Sequence, residues 1–248
     1  MITRAAILIE ASNLAGEQDL PGARVDIDNW RAHLTSNWGG AWSPSEINVL
    51  SKPSLVALKL RLAFCADKDY VFITFSGHGD HLQAKDIDDT RLYINDKDVI
   101  YVRELNPGNS RCTIVADCCR KIVSPEPILE GKTVLGKALG GVPSSRQKYR
   151  ELFETEIMKC EKGAIELYSC DLDEAAGESS RSGGYYSRFI AACCEEWHSR
   201  VSDGAKSVYR INEAHECAAE KTNDRARQQH PQYEGGRRLK HFPLAVRP

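Results

Sequence analysis

The 248 residues are enough to bury one sizeable core, and 33 Lys plus Arg against 35 Asp plus Glu leave a formal net charge of -2. So even a balance excludes the long-range field that gathers nucleic acid or anionic lipid, and neither is expected as a partner. Nine cysteines are present, an odd number with two adjacent pairs, Cys118-Cys119 and Cys193-Cys194, which fits a reducing compartment better than a disulfide framework. No two of them have Cys-x-x-Cys spacing, so no structural metal is expected.

Along the chain, the apolar stretch near Ile7-Leu8-Ile9 is too short and wrongly flanked for a signal peptide or membrane span, so the expectation is a soluble, cytoplasmic protein. Strands are predicted at Arg4 to Glu10, Ile47 to Leu50, Tyr70 to Phe75, Cys112 to Ala116, Ala164 to Tyr168 and, last, Phe242 to Val246. Between them, Ala23, Ile27, Trp30 and Leu34 recur at helical spacing, as do Leu55, Leu58, Leu62 and Cys65 behind a Pro53-Ser54 cap. Ile190, Cys193, Trp197 and Val201 form a third stripe, and Val208, Ile211, His215 and Ala218 a fourth. Cys193, Cys194 and His215 are read as core residues rather than ligands. Strands alternating with helices predict an α/β fold around a mostly parallel six-stranded sheet.

The segment from Ser124 to Lys162 mixes Pro and Gly with basic residues, including Lys132, Lys137, Arg146, Lys148 and Arg150, and reads as a long loop between strands. Gln229-His230-Pro231-Gln232 and Glu234-Gly235-Gly236 read as a turn leading into the final strand. Asp86, Asp88 and Asp89 form an acidic stretch without the spaced ligand set of a calcium loop, so a solvated loop is expected and calcium is the lesser alternative.

Two strands end in turns that carry reactive side chains. Val71 to Phe75 runs into Ser76-Gly77-His78-Gly79, and Thr113 to Ala116 into Asp117-Cys118-Cys119-Arg120. The crevice beyond the carboxyl ends of an α/β sheet is where ligands bind, and a thiol needs a neighbouring base to act as a nucleophile near neutral pH. From the residues alone, a His-Cys pair stands beside a blander reading, in which His78 bonds within its turn and both cysteines are small buried hydrophobes.

Strand, Ser-Gly-His-Gly, strand, Asp-Cys-Cys resembles the catalytic frame of metacaspases, especially bacterial and type I-like ones, and more distantly that of caspases. Leu20 to Asp26 is similar to that family's segment after its first strand, and Tyr168 to Glu178 with Gly183-Gly184 to its small-subunit segment. The resemblance implies a three-layer caspase-like α/β/α sandwich in one domain over 1–248. Its large-subunit-like part would span about 1–123, a linker 124–162, and a small-subunit-like part 163–248, with the linker open to activating cleavage by the enzyme itself or an upstream protease. It implies Cys119 as nucleophile, His78 as its base, an oxyanion hole from the N–H groups of Gly79 and Cys119, and no catalytic metal or cofactor.

Metacaspases cut after Arg or Lys because acids line their pocket. The matching positions are Asp26, Ser76 and Asp117, with Asp173 slightly favoured over neighbouring positions as a further acid. The family's usual His-Ser-Gly after the nucleophile is replaced by Arg120-Lys121-Ile122, and its common Gln by Glu174. The implied function is proteolysis after basic residues in a regulated cascade such as cell death or antiviral defence. The alternatives are an inert caspase-like scaffold and a protease selecting Asp.

Overall fold

The computed structural model describes residues 2–108, 111–123, 144–202 and 207–248. In chain order come β1 (Arg4–Ala11), α1 (Pro21–Thr35), β2 (Ile47–Ser51), α2 (Leu55–Ala63) and β3 (Tyr70–Gly77). Then follow β4 (Gly79–Ala84), β5 (Ile87–Tyr93), β6 (Val99–Tyr101), β7 (Arg111–Asp117), β8 (Ile122–Val123), α3 (Ser144–Met158) and β9 (Gly163–Tyr168). The chain ends with β10 (Glu178–Ser179), β11 (Gly183–Gly184), α4 (Tyr185–Arg200), β12 (Ser207–Arg210), α5 (Ile211–Arg225), β13 (Gln232–Glu234) and β14 (Pro243–Arg247).

The central sheet has six strands in the order β13-β9-β7-β3-β1-β2, all parallel except β13, as the sequence predicts for fold class. Every residue of β1 and β3 is buried, which is why these strands read as unbroken apolar runs: both faces of a parallel sheet are covered. On one face Leu8, Phe72, Val115 and Leu167 meet Trp30 and Leu34 of α1, Phe153 of α3, Ile190 of α4 and Ala214 of α5. On the other, Ile7, Ile73, Phe75 and Ile114 meet Leu58 and Leu62 of α2, together with Leu92, Ile100 and Val102. Ser54 caps α2 as expected, its hydroxyl accepting the Ala57 N–H at 3.2 Å.

Several expectations need correction. The sixth strand of the sheet is not 242–246. That segment, β14, pairs antiparallel with β12 in a separate ribbon, and the sheet is completed by β13, inside the stretch read as a turn. The loop read over 124–162 contains α3 from Ser144 onward, because Tyr149, Leu152, Phe153 and Ile157 lie on one helical face against the core. Ser124 to Pro143, with Lys132 and Lys137, lies outside the described residues. The acidic stretch is a hairpin: β4 and β5 pair His81 with Thr90 and Leu82 with Asp89, within a second sheet ordered β6-β5-β4-β8.

Cys193 lies in the core as expected but is also joined to Cys217 by a disulfide that ties α4 to α5, contrary to a fully reduced reading. Cys194 is buried and free. No helix among the described residues is long and apolar enough to cross a membrane.

Candidate active site

The strand order β2-β1-β3 makes the chain leave β1 and β3 toward opposite sides, so a crevice opens between their carboxyl ends. His78 follows β3, Cys119 follows β7, and the loop from Ser12 to Leu20 follows β1, so all three stand at the carboxyl ends of three neighbouring strands. Register fixes their relative height: Ser76 lies beside Asp117 on one side and Glu10 on the other.

His78 is half-buried, and its Nε2 lies 2.6 Å from the Gln18 carbonyl. A carbonyl can only accept, so Nε2 carries a hydrogen, and in the neutral ring Nδ1 is left with the lone pair. Nδ1 lies 4.0 Å from Glu17 Oε2, a carboxylate placed to steady the ring when it is protonated. Gln18 and Glu17 carry no sequence signal of this role. One acts through its backbone, and the other lies in a loop whose path the spacing does not fix.

The two cysteines diverge. Cys118 is buried beneath Gly79, and burial pushes its thiol well above the ordinary range. Cys119 is partly exposed; burial and then Asp117 push its thiol up, against the opposing pull of the Ala176 N–H. The turn is held on both flanks, with Cys118 N–H donating to Ser169 Oγ at 3.2 Å and Arg120 N–H to the Glu174 carbonyl at 3.0 Å. The backbone on both sides of Cys119 is thus held in place, and burial favours the protonated form of its thiol.

The residues that depart from the metacaspase pattern support this turn. Arg120 is buried, stacks 3.9 Å from the Tyr168 ring centre, and donates to Thr90 Oγ1 at 2.9 Å and the Cys170 carbonyl at 3.4 Å. Glu174 accepts from the backbone and ring of His230, at 2.7 and 2.5 Å, and from Asp171 N–H at 3.1 Å. Together they tie the Cys118-Cys119 turn to β5, β9 and the segment before β13.

Asp26, Ser76 and Asp117 do come together. Ser76 Oγ donates to Asp26 Oδ2 at 2.6 Å, and Gly184 N–H to Asp26 Oδ1 at 2.8 Å. Asp117 Oδ2 accepts the Ser187 N–H at 3.2 Å. Both glycines of β11 are required here. A Cβ on Gly183, whose φ is +88°, would sit 2.1 Å from Asp26 Oδ1, and one on Gly184 would sit 2.5 Å from Asp117 Oδ2. Asp173 does not join this group; it is exposed, with a φ of 61°, and lies 3.8 Å from Lys121 Nζ. Near the hairpin tip, Asp88 lies 2.7 Å from His81 Nε2 and Asp89 3.3 Å from Arg103 Nε. Among the described residues no three His, Cys, Asp or Glu side chains are grouped to hold a metal ion.

Burial, with Asp117 next in effect, raises Asp26 well above the usual carboxylate range, and burial raises Asp117 too. A carboxyl whose proton is held more tightly in the folded chain contributes its full stability below the unfolded pKa, and that contribution is lost as pH rises through the folded value. Asp26→Asn keeps an acceptor for Gly184 and removes the charge, so it is expected to raise the melting temperature at pH 8 and leave it unchanged near pH 3. Each kcal/mol relieved is worth about 2–4 °C in a chain of this size. Thermal melts of both proteins across that range check this, and a uniform drop at every pH contradicts it.

The family model described as the caspase domain matches residues 3–243, nearly the whole chain and every element from β1 to β13. The chain belongs to the caspase-domain family. Membership makes the chain a cysteine-type peptidase by family, with proteins as the implied substrates. A comparison with curated proteins finds no match to this caspase-family chain.

Proposed function

We propose that this caspase-family protein is a metacaspase-type endopeptidase that cleaves after Arg or Lys, with Cys119 as nucleophile and His78 as its base. The observation that carries the specificity is the bonded cluster of Asp26, Ser76 and Asp117 beside the two reactive turns. Carboxylates converging on one cleft suit a cation, above all a guanidinium, whereas a pocket for Asp would need cations there.

The steps follow from the ring's tautomer. With Nε2–H held by the Gln18 carbonyl, Nδ1 takes the proton of the Cys119 thiol as the sulfur attacks the scissile carbonyl. The backbone N–H groups of Gly79 and Cys119 are assigned to the developing oxyanion, and the imidazolium then gives its proton to the leaving amine. Water, deprotonated by the same ring, releases the acyl group and restores the thiol. A raised resting thiol pKa makes His78 a true base rather than one half of a preformed ion pair.

Fluorogenic peptides ending in Arg, Lys or Asp, assayed with and without calcium, test this directly. Cleavage after Arg and Lys is expected; cleavage after Asp alone contradicts the pocket assignment. The calcium arm decides whether the β4–β5 acids have a regulatory part. A cytoplasmic setting and a place in a regulated cascade such as cell death or antiviral defence belong to the same proposal, with the Cys193–Cys217 disulfide standing against a strongly reducing milieu.

A further inference from the structure

Between β5 and β6 the chain turns through Asn95, Asp96, Lys97 and Asp98, and side-chain bonds to the backbone stiffen this turn. Asn95 Oδ1 accepts the N–H groups of Lys97 and Asp98 at 2.8 and 2.9 Å, its Nδ2 donates to the Pro53 carbonyl at 2.7 Å, and Asp98 Oδ2 accepts the Leu55 N–H at 2.9 Å. The turn is thereby clamped to the start of α2. Asp96 reaches inward from it: its side chain and that of Lys52 are each 4% exposed, and Lys52 Nζ lies 3.9 Å from Asp96 Oδ1. A pair buried this deeply adds little net stability, because desolvation offsets most of the attraction, so its contribution is geometric.

What Asp96 holds is the loop after β1. The same Oδ1 accepts the Ala15 N–H at 2.8 Å, and Ala15 stands just before the stretch that carries Gln18, whose carbonyl lies 2.6 Å from His78 Nε2. Between them Gly16 has a φ of +85° and open space where a Cβ would stand, so packing gives the loop no support at that point. The other side of the contact is fixed from the same strand. Tyr93 N–H, at the end of β5, donates to the His78 carbonyl at 3.1 Å. The end of β5 and its turn therefore grip both partners of the Gln18–His78 hydrogen bond, His78 through Tyr93 and the Gln18 loop through Asp96.

We infer that Asp96 is a positioning residue for His78. By fixing Ala15 it sets where the Gln18 carbonyl stands, and that carbonyl keeps the ring hydrogen on Nε2 and leaves the Nδ1 lone pair for the Cys119 thiol. Asp96 itself acts only through the loop. Because this role rests on His78 being the base, a His78→Ala control runs beside the test.

Asp96→Ala deletes the acceptor, whereas Asp96→Asn keeps one for the Ala15 N–H and removes the charge. On whichever of the Arg, Lys or Asp peptides the wild type cleaves best, Asp96→Ala is expected to lose roughly tenfold to a hundredfold in kcat with KM within about twofold, and Asp96→Asn to recover most of the loss. The Nε2–H proton resonance of His78, assigned by its absence in His78→Ala, is a readout that fold stability alone does not move. It is expected in the wild type and in Asp96→Asn, and to be broadened away by exchange with water in Asp96→Ala. Lys52→Met combined with Asp96→Ala removes both buried charges together and is expected to show the same losses, which serves if the single variant does not fold. An intact Nε2–H resonance in folded Asp96→Ala or in the double variant overturns the role of Asp96, as does an unchanged kcat or an equal loss in Asp96→Asn. Full activity in His78→Ala overturns the assignment of His78 and the role of Asp96 with it.

Discussion

Cys119→Ala is expected to lower kcat by roughly 10³-fold or more, whereas Cys118→Ala stays within about tenfold of wild type, since removing a nucleophile removes the covalent path itself. The two residues are adjacent and chemically identical, so only their placement separates them. Cys118 sits in the core beneath Gly79 with its thiol held far above the ordinary range, and no substrate carbonyl can reach it there. Cys119 is partly exposed at the turn facing the crevice. Steady-state kinetics on an Arg-ending peptide decide between them. Full activity in Cys119→Ala together with loss in Cys118→Ala reverses the assignment.

Gly79→Ala is expected to cost roughly 10²- to 10³-fold in kcat, the scale of losing one oxyanion donor. The added methyl would lie 2.8 Å from Cys118 Sγ, 3.0 Å from Cys118 Cβ and 2.9 Å from the Arg91 carbonyl. Arg91 is fixed in β5 and its side chain is bound to Asp80 by two hydrogen bonds at 2.9 and 2.6 Å, so the carbonyl cannot yield. The turn must move instead, carrying the Gly79 N–H away from the reacting oxygen. With the substrate's side-chain pocket proposed on Asp26, Ser76 and Asp117, KM is expected to change little, and a rise confined to KM contradicts the oxyanion role.

The parts of the molecule legible in the sequence are those whose chemistry is continuous along the chain. β1, β3, β7 and β9 show as apolar runs because both their faces are covered, and His78 and Cys119 show because reactive side chains follow directly on such runs. β13 did not show: it is three residues long, edges the sheet and carries polar side chains, while the more apolar β14 pairs elsewhere. α3 was hidden because only a few core contacts punctuate a polar, basic sequence next to a Pro- and Gly-rich tract.

In the site, the failures are of two physical kinds. Gln18 acts through a main-chain carbonyl, which any residue would supply, so no side-chain pattern marks it. Asp173 lies in a segment that folds back on itself, and linear spacing does not say which way it faces; the turn there directs it toward Lys121 at the surface.

The most direct test of a Cys119 peptidase with an acidic pocket is covalent trapping. Peptidyl acyloxymethyl ketones ending in Arg or in Asp are incubated with the wild-type protein, and the labelled residue is located by peptide mapping. The arginine reagent is expected to label Cys119 stoichiometrically, to be blocked by His78→Ala, and to outpace the aspartate reagent by roughly a hundredfold, the scale of one well-placed charge pair. Labelling at Cys118, or faster labelling by the aspartate reagent, would contradict the account.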